Sequence, residues 1–226
     1  MLEVKNLSKN YGNNKALDNI NLRFESGQIY GIVGENGAGK TTLFRCITGL
    51  ETYQGDILSP YQSIKNHIGY LETNPIFMSY ITGWEYLKLI CIAKKFDTEN
   101  FDEQNIFDLP LDQYVTSYST GMKKKLALMG LLLRKNDIII LDEPFNGVDI
   151  QSNMVISELI LELKNIGKII ILSSHIFSTL NEICDEIILL SKGKVSMQVK
   201  KADYLSLELS MKQTILADQT KKIIIE

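Results

Sequence analysis

The stretch GENGAGKTT, Gly34 to Thr42, constrains this chain more than any other. It follows the apolar run Ile29 to Val33 and precedes Leu43 to Leu50, so the local order is strand, glycine-rich turn, helix. The spacing fits GxxxxGK[ST] in full: Gly34, four residues (Glu35, Asn36, Gly37, Ala38), then Gly39, Lys40 and Thr41, with Thr42 after them. A polyphosphate has to be wrapped by backbone N–H groups, and Gly34, Gly37 and Gly39 let the backbone approach with no Cβ in the way. The helix that follows adds free N–H groups and the positive end of its dipole. Lys40 then reaches the β- and γ-phosphates, and the Thr41 hydroxyl is a ligand for Mg²⁺.

The rest of the chain builds a sheet around that loop. Leu2, Val4, Ile20, Leu22 and Phe24 alternate with polar residues and predict two half-buried strands, at 2–7 and 20–25, joined by the polar loop KNYGNNKALDN. Short strands are expected at 55–58 and 68–71. From about 74 to 135 the texture becomes helical. Thr82 and Glu85 have capping-box spacing before a helix that buries Leu87, Ile90, Cys91 and Ala93, and a longer helix runs over 119–134. Residues 96–112, acidic and broken by Pro110, read as a loop or short helices. Trp84 and Tyr86 are either helix core or partner contacts. Strands at 137–141, 169–172, 186–190 and 195–199 alternate with helices at 152–165 and 177–183, the pattern of a mostly parallel doubly wound sheet with right-handed crossovers. A helix over 201–211 and a hairpin over 214–225 end the reading. Residues 1–226 therefore read as one α/β domain with a helical subdomain at about 74–135 inserted between strands of one sheet.

IIILDEP, Ile138 to Pro144, is an apolar strand that releases two acids at its C-terminal end, the edge where an α/β sheet binds ligands. Asp142 is placed to hold the shell of Mg²⁺, and Glu143 to take a proton from an attacking water. The formal charge of −3 leaves no general electrostatic footprint for nucleic acid. Lys123, Lys124 and Lys125 are therefore expected on a solvated helix face rather than against nucleic acid. The apolar runs fall far short of the roughly 18 residues a membrane span needs, and the polar N-terminus lacks a signal-peptide core. Cys46, Cys91 and Cys184 show neither CxxC nor His spacing and read as reduced core residues. Tyr11, beside Gly12, is either an aromatic platform for adenine or a turn aromatic.

In this order the motifs resemble the ATP-binding subunit of an ABC transporter over essentially residues 1–200. YSTGMKKKL, Tyr118 to Leu126, is similar to the family signature LSGGQ: Ser119 and Gly121 are kept, Thr120 stands for glycine and Met122 for glutamine. FNGVD, Phe145 to Asp149, resembles the D-loop, and SSHIF, Ser173 to Phe177, puts His175 at the switch histidine. GYLETNP, Gly69 to Pro75, resembles the Q-loop but has Thr73, after Glu72, at the glutamine position, so either residue stands as a metal ligand. Ser119 to Gly121 opens a helix and is a second anion site, although the chain has one phosphate-loop lysine and one acid pair.

The resemblance implies a P-loop ABC ATPase fold with N-terminal antiparallel strands, and ATP with Mg²⁺ as the bound species. It implies a head-to-tail pair of cassettes, each signature closing on the partner's ATP, with Asp149 at that interface, His175 at the γ-phosphate and Tyr11 on adenine. It further implies a separate membrane subunit docked near 73–86, a place on the cytoplasmic face of the membrane, and an export flavour carried by YSTGM and GYLETNP. A soluble ABC-type ATP-dependent switch is the alternative.

Overall fold

The fold was obtained as a computed structural model that describes residues 1–95, 101, 103–175 and 177–204. Its strands and helices run in chain order as β1 (Leu2–Tyr11), β2 (Asn14–Phe24), β3 (Gln28–Val33), α1 (Lys40–Ile47), β4 (Gln54–Leu58), β5 (Ile68–Leu71), α2 (Gly83–Lys94), α3 (Thr120–Leu133), β6 (Ile138–Leu141), α4 (Ile150–Asn165), β7 (Ile169–Ser174), α5 (Phe177–Ile183), β8 (Glu186–Ser191) and β9 (Lys194–Lys200). They form a three-stranded antiparallel sheet, order β2-β1-β4, and a six-stranded sheet, order β5-β6-β7-β3-β8-β9. The larger sheet is parallel except for β9, which pairs antiparallel to β8.

Strand alternation decides which layer each residue joins. In β6, Ile138 and Ile140 face a core shared with α1 and the antiparallel sheet, where Leu43, Phe44 and Ile47 meet Leu7, Leu22 and Phe24. Ile139 and Leu141 face the opposite side, against Leu128 and Leu131 of α3 and Ile156 and Ile160 of α4. Both faces of the parallel sheet are thus covered, which is why its strands read as unbroken apolar runs. A further core joins Leu87 and Cys91 of α2 to Leu126 and Met129 of α3, with Phe101, Leu109 and Tyr118. Phe77 packs against both this core and that of the sheet.

Several local expectations are met. Thr82 and Glu85 form the reciprocal capping box on α2, the Glu85 N–H donating to Thr82 Oγ1 (3.1 Å) and the Thr82 N–H to Glu85 Oε2 (2.8 Å). The three cysteines are buried and form no disulfide among the described residues. Tyr86 is half-buried, edge-on to Phe77 and packed against the helical core, whereas Trp84 is exposed, edge-on to Phe101.

Other expectations need correction. The stretch 9–19 is not a loop but the tip of the β1–β2 hairpin, turning at Gly12 (φ 57°), with Tyr11 opposite Asn14. Residues 10–15 are exposed on both faces, so no alternation betrayed the strands. Leu50 lies past the end of α1 and is exposed, and Ala93 is exposed rather than on the buried face of α2. Lys124 is 1% exposed and so is not on a solvated face. The hairpin expected at 214–225, and nearly all of the helix expected at 201–211, lie outside the described residues.

Candidate functional site

The sheet order brings the two motifs together. Strand β7 lies between β3, which leads into the phosphate loop, and β6, which leads into Asp142 and Glu143, so the last residues of β7 end between the two. Ser173 there is fully buried. Its hydroxyl donates to Asp142 Oδ1 (2.6 Å) and accepts from the Glu143 N–H (2.9 Å). The other oxygen of Asp142 accepts from the Thr41 hydroxyl, Oγ1 to Oδ2 2.6 Å. A buried carboxylate held only by hydroxyls, and with no Lys or Arg in ion-pair reach among the described residues, suits a hard cation bound through oxygen. No group of three or more His, Cys, Asp or Glu with metal-site geometry occurs among the described residues. Mg²⁺ does not require one, since it takes one or two carboxylates and completes its shell with phosphate and water.

The phosphate loop packs directly on neighbouring backbone. A Cβ on Gly34 would lie 2.3 Å from the Leu190 carbonyl oxygen, and one on Gly39, at φ 108°, would lie 2.8 Å from that of Ala16. Helix α1 starts at Gly39 with no side-chain cap, so its first N–H groups are left for a ligand. Lys40 is buried, its Nζ donating to the carbonyls of Gly34 (2.6 Å) and Glu35 (3.3 Å), 3.9 Å from Glu143 Oε1. The other carboxylate oxygen of Glu143 accepts from Nδ1 of the half-exposed His175 (2.8 Å). Glu143 itself has φ 51°, a left-handed conformation that costs a non-glycine residue on the order of 1 kcal/mol or more and persists only where its surroundings hold it.

These residues border an open cleft of about 980 Å³. Tyr11 is at its rim, followed by Glu35, Asn36, Gly37, Gly39, Lys40, Thr41 and Thr42, then Thr73, Asp142, Glu143 and His175. Gly34 and Ala38 support the loop from behind, Ala38 accepting from the Gly193 N–H through its carbonyl. Of the two Q-loop candidates, Thr73 borders the cleft, and Glu72 borders the adjoining groove instead. Tyr11 is half-exposed, with Lys9 Nζ 4.8 Å from its ring centroid. Glu51, 3.0 Å from Lys9, holds that lysine in place and keeps it protonated above its ordinary range.

The signature residues do not border the cleft. Ser119 caps α3, its hydroxyl accepting from the Met122 N–H (3.2 Å), and Thr120 and Gly121 sit against the Gly147 backbone. Asp149 caps α4: Oδ1 accepts from the Ser152 N–H (2.8 Å), and Oδ2 from the Ser152 hydroxyl (2.8 Å) and Lys125 Nζ (3.0 Å). The Ser152 amide and hydroxyl, with Lys125, hold its carboxyl well below the usual range. Among the described residues, the uncapped N-terminus of α1 opens on this cleft, whereas that of α3, capped by Ser119, does not.

Ser173, at the end of its strand, carried no signal of this role in the sequence, because only the order β6-β7-β3 sets it beside the acids. Lys124 had a signal: Ala127, Leu128 and Leu131, at i+3, i+4 and i+7, are all buried on the sheet side of α3. Asn14, Lys15, Asn146 and Lys192 also border the cleft, and nothing local marked them.

Residues 17–146 match the family described as ABC transporter. An uncharacterized ABC transporter ATP-binding protein of Bacillus subtilis, YhcH, is 34% identical over 209 residues, covering 86% of this chain and 68% of that protein. Among solved structures, an ATP-binding subunit of an ABC transporter superposes with a TM-score of 0.81 at 27% identity, covering 93% of each chain. A dimeric cassette in a post-hydrolysis state with ADP and Pi shares the fold at a TM-score of 0.79 and 21% identity, covering 89% of this chain and 99% of that one. With its motifs gathered around one cleft, and with these likenesses in sequence and fold, this chain belongs to the ABC transporter family as an ATP-binding cassette.

Proposed function

We propose that the cleft binds ATP with Mg²⁺ and hydrolyses it to ADP and phosphate, and that the cassette works at the cytoplasmic face of a membrane as the motor of a separate transporter subunit. The observation that carries this reading is the Thr41–Asp142 contact with Glu143 and His175 beside it, because it joins a metal-type oxygen pair to a carboxylate base. Gly34 to Thr42 would wrap the phosphates through backbone N–H groups, and Lys40 would exchange its carbonyl partners for phosphate oxygens. Thr41 and Asp142, with Thr73 in the same cleft, would hold Mg²⁺, which would supply charge neutralisation as the γ-phosphoryl passes to water and ADP leaves. Glu143 accepts the proton of the attacking water, and His175 orients its carboxylate through Nδ1–H. Tyr11 stacks on adenine.

The sites at Ser119 to Met122 and at Asp149 lie off the cleft, which fits their use against ATP held by a second cassette in a head-to-tail pair. Among the described residues no helix is long and apolar enough to cross a membrane; in this reading force passes to the separate membrane subunit. A groove of about 390 Å³ between the sheet and the helical subdomain, bordered by Glu72, exposed Ile76 and Tyr86, is the docking place for a membrane subunit in this reading. The signature and Q-loop runs favour an exporter.

Phosphate release from the purified chain tests hydrolysis. Glu143→Gln is expected to keep ATP binding and to lower turnover by about 10² to 10⁴, the contribution of a positioned base. Unchanged turnover would remove Glu143 from that role. A pull-down from detergent-solubilised membranes tests the rest. A multi-span membrane protein is the expected partner, and soluble partners alone would favour an ATP-dependent switch.

A further inference from the structure

Lys124 is almost completely buried, one turn into α3 from Thr120, where an ammonium is costly unless its hydrogen bonds are made. Its Nζ donates to two carbonyl oxygens, those of Glu143 and Asn146, both at 2.7 Å. Charge-assisted bonds of this kind are the stronger sort, and two of them converge on the turn that leaves β6. That turn contains the left-handed backbone of Glu143 at φ 51°.

The rest of the helix start reinforces the grip. Gly121 packs so tightly on the loop that a Cβ there would lie 2.6 Å from the Gly147 carbonyl oxygen. Lys125 reaches the far end of the same loop, at Asp149 and Ser152, 3.0 Å from each. The opening turns of α3 therefore hold 143–149 at its beginning, middle and end. Only Lys124 among these contacts touches Glu143 itself.

We propose that Lys124 is a positioning residue for Glu143: by bonding the carbonyls of Glu143 and Asn146 it holds the strained turn that aims the carboxylate into the cleft, and it ties that aim to the placement of residues 119–122 on the same helix. The inference rests on the reading of Glu143 as the base in ATP hydrolysis. Substrate is not touched by Lys124, so its loss acts on the chemical step and leaves the phosphate loop, Lys40 and Tyr11 as they are.

The test is steady-state phosphate release by the full chain across a range of ATP concentrations, for wild type, Lys124→Met and Lys124→Gln. Met fills the same volume without a donor, and Gln keeps a donor on a shorter stem. The expected result is a kcat lowered about 10- to 100-fold in Met and less in Gln, with KM for ATP within about threefold of wild type, since one positioning contact for a base accounts for part of its effect. A wild-type kcat in Lys124→Met, or a KM that rises as kcat falls, overturns the proposal. If Lys124→Met is insoluble, Lys124→Gln decides by the same split: lowered kcat at constant KM supports the proposal, and wild-type kcat overturns it. Wild-type protein that releases no phosphate, or releases it equally well as Glu143→Gln, overturns the hydrolytic reading and this inference together. An active wild type, an inactive Glu143→Gln and an unimpaired Lys124→Met overturn this inference alone.

Discussion

Replacing Ser173 with alanine tests how much of the site is held by one hydroxyl. The side chain is fully buried, donates to Asp142 Oδ1 at 2.6 Å and accepts from the Glu143 N–H at 2.9 Å. Removing Oγ takes from the Asp142 carboxylate one of its two hydroxyl donors, leaving Thr41. A hydrogen bond to a charged group contributes about 1.5–3 kcal/mol, and an N–H stranded in the interior costs about 1–3 kcal/mol. A water entering the vacated volume recovers part of this, so about 3 kcal/mol of destabilisation is expected. In a chain of 226 residues each kcal/mol moves Tm by about 2–4 °C, which gives a fall of about 6–12 °C. Thermal and urea unfolding of the nucleotide-free protein measure it, with Ser196→Ala as control. That serine is exposed and donates to the Leu189 carbonyl at 3.1 Å, so its loss should cost less than about 1 kcal/mol. A shift for Ser173→Ala no larger than the control would refute the reasoning, because the bonds at Asp142 and Glu143 would then be replaceable by solvent at no cost.

Two further outcomes follow from the site. Tyr11→Ala should weaken binding of a fluorescent ATP analogue about 2- to 12-fold, the equivalent of about 0.5–1.5 kcal/mol for an aromatic stack, whereas Tyr11→Phe should bind as wild type. Equal affinity in all three would take adenine off that ring. Asp149 is held below the ordinary carboxylate range by Ser152 and Lys125, so the folded chain gives up this proton more readily than the unfolded one. Its stabilisation is complete above the unfolded value of about 3.9 and is lost as pH falls below it. Thermal melts between pH 7 and pH 3 should show a shallower acid decline for Asp149→Asn than for wild type, and parallel curves would remove Asp149 from the acid response.

How legible the site was varied with the reach of each interaction. The capping box of α2 could be read three residues apart, because Thr82 and Glu85 bond only to each other's backbone and side chain. The strand ending in Asp142 was readable because it is buried on both faces and so carries no polar residue until its edge. The β1–β2 tip was not, since residues exposed on both faces have no period to follow. The helical period placed Lys124 on the face of Ala127, Leu128 and Leu131, but its charge argued against burial. Between Lys123 and Lys125 it reads as part of a solvated run, and only the two carbonyls 19 and 22 residues away explain why an ammonium sits inside.

The sequence by itself determined the parts: a phosphate loop between strand and helix, an acid pair at a strand end, and the alternation of strands and helices that closes into a doubly wound sheet. Each rests on covalent neighbours, through glycine's freedom, strand pleat or helix period. The tertiary structure alone decided how the parts meet. The order β6-β7-β3 sets Ser173 between the loop and the acids, brings Thr41 onto Asp142 across 101 residues of chain, and seats Lys124 beneath Glu143. Strand order depends on which apolar faces can be buried together, and that is a property of the whole chain rather than of any stretch of it.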